Sequence, residues 1–213
     1  MLVKIKNFCY RNRKWLLFFI GVIIFLMVTE DLLEQELDAF DQTIYQMVMT
    51  VKTPFVTSFF KVVTNFGNAF WLITIVLLLY LFYPKRPYSI WMLSNLIMIT
   101  LLNLGLKSIF MRPRPEGIRM IEESGYSFPS GHSMISMACY GLLAYLAFKK
   151  IKRPTLRFFI CGLCFLLILL VGVSRIYLGV HYASDVLAGF AFSISYLMIF
   201  IMGVVKPSLE LTE

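Results

Sequence analysis

A chain of 213 residues has room for one domain or two small ones, yet 59% apolar, 16% aromatic and 15% charged residues exclude a water-soluble globule. A net charge of +8 would suit a nucleic-acid binder only if the cations shared one groove; here they bracket apolar runs, which marks membrane topology instead.

At the N-terminus Lys4, Lys6, Arg11, Arg13 and Lys14 precede an apolar run, as in a signal peptide. Acidic residues follow where a small-residue cleavage site would stand, so an uncleaved anchor is expected. A helix crossing ~30 Å of hydrocarbon needs roughly 17 to 25 residues with few charges. Six runs approach this: Trp15 to Thr29, Val62 to Tyr83, Pro87 to Leu106, Ser133 to Phe148, Phe158 to Ser174 and Val186 to Val205. The first and fourth are short and need flanking cations that snorkel. Between the first two runs, Phe40, Ile44, Val48, Val51, Phe55 and Phe59 recur at helical steps, and Pro54 divides them. This stripe predicts a helical segment lying along the outer interface and packing on the bundle. The predicted fold is therefore all-α: a polytopic membrane protein with six transmembrane helices and that interfacial segment, residues 1–213 forming one domain.

Positively charged short loops stay cytoplasmic. Alternating the spans puts 13 of the 20 Lys and Arg residues on one side, and ten of the twelve acidic residues on the other. Both termini are expected in the cytoplasm. The four cysteines (Cys9, Cys139, Cys161 and Cys164) read as free thiols; the Cys161/Cys164 pair lacks a second pair or histidine to complete a zinc set.

Five of the seven outer-side cations, Lys107, Arg112, Arg114, Arg119 and Arg175, gather around the loops after the third and fifth spans. The first of these loops leads into Pro129-Ser130-Gly131-His132, and the second carries His181 and, four residues on, Asp185. Both histidines of the chain thus fall on one membrane face among cations. Arginine and lysine bind phosphate oxygens through charge-assisted hydrogen bonds, and Ser130 and Gly131 stand where a helix N-terminus favours an anion. Spacing by four sets Asp185 to fix the tautomer of His181. Alone, each segment has a plain reading: interfacial arginines on a stiff proline loop, a turn with an N-cap, a cap for the last helix. Three such segments in order on one side are a site.

At these residues the sequence resembles the type 2 phosphatidic acid phosphatase superfamily. Its three-part signature matches Lys107 with Arg114-Pro115, Pro129-Ser130-Gly131-His132, and Ser174-Arg175 with His181 and Asp185. The resemblance implies a lipid phosphatase working by two-step phosphoryl transfer: His181 attacks phosphorus, Asp185 orients it, and His132 protonates the leaving oxygen. Lys107, Arg114, Arg175, Ser130 and Gly131 would hold the phosphate, with Arg112 in a secondary role. Neither the residues nor the resemblance implies a metal or other cofactor, since the carboxylates are not clustered as a two-metal site requires. The expected partners are the lipid phosphate substrate and membrane lipids, not nucleic acid. Phosphatidylglycerol phosphate, phosphatidic acid and undecaprenyl diphosphate all fit such a site; the resemblance to small bacterial members favours phosphatidylglycerol phosphate, with undecaprenyl diphosphate as the alternative within the enzyme class. A non-catalytic lipid-phosphate binder or transporter is the alternative outside it; such a protein needs cations but not this pair of histidines.

Overall fold

The computed structural model describes residues 2–82, 87–117, 119–205 and 207, with side chains from residue 12 onward except at 79 and 82. Lys85, Arg86 and Lys206, which contribute to the charge asymmetry, lie outside the described residues, as do Tyr83 and the side chain of Cys9. The elements are α1 (Leu2–Glu34), α2 (Asp38–Met49), α3 (Pro54–Val63), α4 (Ala69–Phe82), α5 (Pro87–Phe110), α6 (Gly131–Lys150), α7 (Pro154–Tyr177) and α8 (Ala183–Phe200). A π-helical turn, Ile201–Val205, continues α8. Among the described residues five helices are long and apolar enough to cross a membrane, and a bent pair makes six if its two arms form one span.

That bent pair corrects one expectation. The run from Val62 to Tyr83 is not one helix: α3 passes through a 3₁₀ turn, Thr64–Gly67, and the chain bends by 57° before α4. Asn68 makes the break, because it leaves helical geometry and its Oδ1 accepts the backbone N–H of Phe70 at 2.9 Å, starting α4. At ~1.5 Å per residue, the 14 residues of α4 fall short of the hydrocarbon thickness, so the bent α3 segment completes the crossing.

The segment divided at Pro54 is present as α2 and α3, of which α3 is also the first arm of the bent pair. Thr53 caps α3 by accepting from Val56 N–H at 3.2 Å, and Pro54 takes the first helical position. Its packing face differs from the expected stripe. Ile44 and Val48 do pack inward, but Phe55 is 81% exposed and Val51 and Phe59 also point outward, while Val56, Phe60 and Val63 meet α7. In water the apolar stripe would identify the buried face. Beside lipid it does not, because hydrocarbon accepts Phe55 as readily as the bundle does.

α6 and α8 are the most buried spans and form the bundle's centre, with α5 and α7 against α6 and α1 against α8. Small residues permit the last contact: a Cβ on Gly21 would stand 2.5 Å from the Ala191 carbonyl and 2.3 Å from Ser195 Oγ, the hydroxyl that donates to Phe18 O. Val28 of α1 packs with Phe128 and Ala188 near the loop after α5, whereas Lys14 lies over the Tyr145 ring toward the other end. The C-terminal ends of α5 and α7 and the N-terminal ends of α6 and α8 consequently meet at one end of the bundle, roofed by α2.

Gly21→Ala should therefore cost about 1–3 kcal/mol through overpacking. Gly105→Ala, where a Cβ meets nothing within 4 Å, should be neutral or stabilising by up to ~1 kcal/mol. Reversible unfolding of both variants in mixed micelles would read the contrast, and equal effects would contradict the α1–α8 contact.

Candidate active site

His181 occupies the short connection between α7 and α8 and is 3% exposed. An Arg114 Nη1 hydrogen bond reaches its Nε2 at 3.1 Å. Guanidinium only donates, so Nε2 carries the lone pair and Nδ1 carries the hydrogen. Nδ1 faces Ser127 Oγ at 3.2 Å and Asp185 Oδ2 at 3.4 Å, and the Ser127 hydroxyl donates in turn to that carboxylate oxygen. Burial first, then the positive charges of Arg175, Arg114 and Lys107, holds the imidazole well below its ordinary pKa of 6.5. His181 is thus a neutral imidazole, with its Nε2 lone pair directed toward Arg114 and away from Asp185.

Asp185 is buried in the first turn of α8, where it also accepts the Tyr182 backbone N–H at 2.9 Å. Its other oxygen receives Arg112 Nη1 at 2.7 Å, and Arg112 Nη2 reaches Asp41 of α2 at 2.9 Å. Asp41 receives Ser184 N–H at 2.8 Å and Ser184 Oγ at 2.7 Å. Tyr182 completes the enclosure, its ring 4.0 Å from the Arg112 guanidinium carbon. Burial lowers the Arg112 pKa, but Asp185 and Asp41 more than offset that and the net shift is upward.

The remaining cations converge on the loop before α6. Lys107, in the last turn of α5 rather than in the loop itself, donates to Tyr126 O. Arg114 donates to Gly125 O at 3.0 Å, to Ser124 O at 2.9 Å and to Val180 O at 2.9 Å. Arg175, fully buried in the last turn of α7, bonds Thr64 Oγ1 at 2.6 Å and Glu123 Oε1 at 2.5 Å. The other Glu123 oxygen lies 3.8 Å from Arg114. Arg175 Nε has no hydrogen-bond partner among the described residues, which leaves a buried donor for an anion.

His132 lies on the first turn of α6 within the electrostatic reach of Arg175, His181, Arg114 and Lys107, and the backbone of Gly67 packs directly on it. Ser130 is the N-cap of α6: its hydroxyl receives the Ser133 N–H at 3.5 Å and the Ser133 hydroxyl at 3.0 Å. Gly131 passes so close to Asn103 that a Cβ would fall 2.8 Å from Oδ1, while Asn103 Nδ2 holds Pro129 O at 3.0 Å. A cavity of about 590 Å³ opens beside His181, bounded by Asp38, Gln42 and Tyr45 of α2 and by Glu116.

The structure therefore gathers Lys107, Arg114, Arg175, His132, His181 and Asp185 at one end of the bundle. Arg112 stands behind Asp185 and Arg119 turns onto Pro115 O at 2.8 Å, outside the cluster. Sequence reasoning missed Asp41, Thr64, Asn103, Glu123 and Ser127 as parts of the site. Only Asp41 carried a signal, since Asp38, Asp41 and Tyr45 recur on one face of α2.

A helical bundle with this charge cluster at its end defines a multi-pass membrane enzyme acting on a phosphate. The chain belongs to the PAP2 superfamily, whose profile matches residues 88–207, and it is a lipid phosphatase. It is 30% identical to phosphatidylglycerophosphatase B of Bacillus subtilis, over 84% of this chain and 90% of that protein. Lipid A 1-phosphatase of Rhizobium etli is 29% identical over 62% of this chain and 64% of its own length. The crystal structure of a PAP2-type phosphatidylglycerolphosphate phosphatase from Bacillus subtilis superposes with a TM-score of 0.73, at 30% identity, covering 92% of this chain and 98% of that one.

Proposed function

We propose that this enzyme, acting as one domain, hydrolyses phosphatidylglycerol phosphate to phosphatidylglycerol and phosphate through a phosphohistidine at His181. The observation that carries the reading is the placement of His181, with Ser127 and Asp185 at Nδ1 and the Arg114 guanidinium at Nε2. In that reading, Lys107, Arg114, Arg175, Ser130 and the Gly131 backbone take the phosphate oxygens, with the unpartnered Arg175 Nε among the donors. Phosphate would replace the Glu123 carboxylate and the loop carbonyls that satisfy these cations at rest. His181 attacks phosphorus, His132 protonates the leaving alkoxide, and water then releases phosphate as His132 takes its proton.

The cavity beside His181 supports the choice of substrate. Among the described residues lining it, none is cationic, while Asp38, Gln42, Tyr45 and Glu116 offer partners for hydroxyl groups. A glycerol headgroup suits that wall better than the second phosphate of undecaprenyl diphosphate. Metal independence follows from the donor set, because Asp41, Asp185 and Glu123 are each already paired with arginine. We further propose that the termini are cytoplasmic and the site extracytoplasmic, from the 13 of 20 cations on the opposite side.

Three outcomes follow. Purified enzyme in excess EDTA should release phosphate from phosphatidylglycerol phosphate faster than from undecaprenyl diphosphate; the reverse order overturns the substrate assignment, and dependence on added metal overturns the chemistry. In whole cells, a single cysteine at position 119 should react with an impermeant thiol reagent and one at 152 should not; the opposite pattern inverts the topology. The histidines should separate with an aryl phosphate, whose leaving group needs no proton. His181→Ala should form no phosphoenzyme, whereas His132→Ala should give one nitrophenolate burst per enzyme and a slowly hydrolysed phosphohistidine at residue 181. Attack requires neutral His181, so acidification should slow that burst only through a pKa below 6.5. Phosphate on residue 132, or an acid limb above 6.5, would refute the roles.

A further inference from the structure

The signature residues leave Asp41 and Arg112 without a function, yet the two are among the most deeply engaged charges in the molecule. Arg112 and Asp41 side chains are 10% and 5% exposed, and Asp185 is fully buried. The guanidinium fork spans the two carboxylates: Nη1 takes Asp185 and Ser184 Oγ, and Nη2 takes Asp41. Asp41 also holds the Ser184 backbone N–H, at the N-terminal turn of α8 from which Asp185 projects. One oxygen of Asp185 is thereby fixed by Arg112, leaving the other to face Ser127 and His181.

We propose that Asp41 and Arg112 are positioning residues for the nucleophile, a relay from α2 that sets the orientation and charge of Asp185. This rests on the reading of His181 as nucleophile. The physical reason is a balance of charge. Arg112 alone would pull Asp185 away from His181 and cancel the negative charge that must stabilise the imidazole as it becomes cationic on attack. Asp41 shares the guanidinium, so the Asp41–Arg112–Asp185 set keeps one net negative charge, and Asp185 retains both its place and its field at Nδ1. Because Asp41 lies on α2, the relay also ties the roof helix, which bounds the cavity beside His181, to the reacting group.

The test uses burst kinetics with an aryl phosphate on full-length enzyme in micelles, where amplitude counts active molecules and the rate constant reports attack by His181. Asp41→Asn and Arg112→Lys should each slow the burst about 10- to 100-fold, as removal of an outer partner does elsewhere. The substrate concentration for half-maximal rate should be unchanged. The double variant should be no slower than the slower single, because both act on one element. Ser184→Ala, which removes one strut and keeps both charges, should slow the burst less than either. It covers the case in which a charge variant fails to fold. Wild-type burst rates at reduced amplitude would make the relay scaffold only, and a raised half-saturation at unchanged maximal rate would make it a substrate contact; each overturns the proposal. Mass spectrometry of quenched wild-type enzyme separates the two readings: phosphate on residue 181 with wild-type-like variants sinks this inference alone, and phosphate elsewhere sinks both.

Discussion

A buried charge in an apolar bundle must be paired, and this constraint shapes the whole site end of the protein. Arg175 is fully buried, and Arg112 and Arg114 are nearly so, at the edge of a hydrocarbon-facing fold where an uncompensated ion costs several kcal/mol. Each is answered by groups from a different part of the chain: Arg112 by α2 and α8, Arg175 by the turn before α4 and the loop before α6, Arg114 by that loop and by Val180 and His181 ahead of α8. The charges therefore hold the helices in register as firmly as packing does. Lipid supplies no hydrophobic force between helices that could do this alone.

The same constraint explains the resting arrangement of the loop before α6. Cations gathered this closely in a buried place all need acceptors. Carbonyls of Ser124, Gly125 and Tyr126 and the carboxylate of Glu123 supply them. They satisfy Arg114, Arg175 and Lys107 from one short stretch of chain.

Much of this was legible in the sequence, and the limits have identifiable causes. Five spans lie where the hydropathy and flanking charges place them, because helix length in a bilayer is set by thickness. The second span broke at Asn68, whose capping bond to Phe70 competes with helix propagation and leaves no trace in an apolar count. The stripe from Phe40 to Phe59 gave the correct period but the buried face only at Ile44 and Val48, since lipid and core are equally apolar. Within the site, Lys107, Arg114, His132, Arg175, His181 and Asp185 were readable because their chemistry is unusual at span ends. Ser127 and Glu123 were not: a serine beside a proline turn and a glutamate on a polar loop look ordinary until the chain folds, and Asp41 offered only its recurrence with Asp38 and Tyr45 on one face of α2. Arg112 was visible but ambiguous, because two Arg-Pro pairs are equivalent as text. In space they differ completely, Arg114 on the lone-pair side of His181 and Arg112 behind Asp185.

That division of two adjacent arginines has a chemical logic. Residues 112 and 114 are separated by one proline, yet their guanidinium groups end on opposite sides of the His181–Asp185 pair. One cation on the Nε2 side lowers the proton affinity of His181 and stands where phosphate oxygens would arrive; it favours a neutral histidine. The other, on the Asp185 side, would by itself weaken the carboxylate that must support the histidine once it becomes charged. In the proposed relay Asp41 resolves that conflict by sharing Arg112 with Asp185. The sharing carboxylate comes from α2, outside the three signature segments.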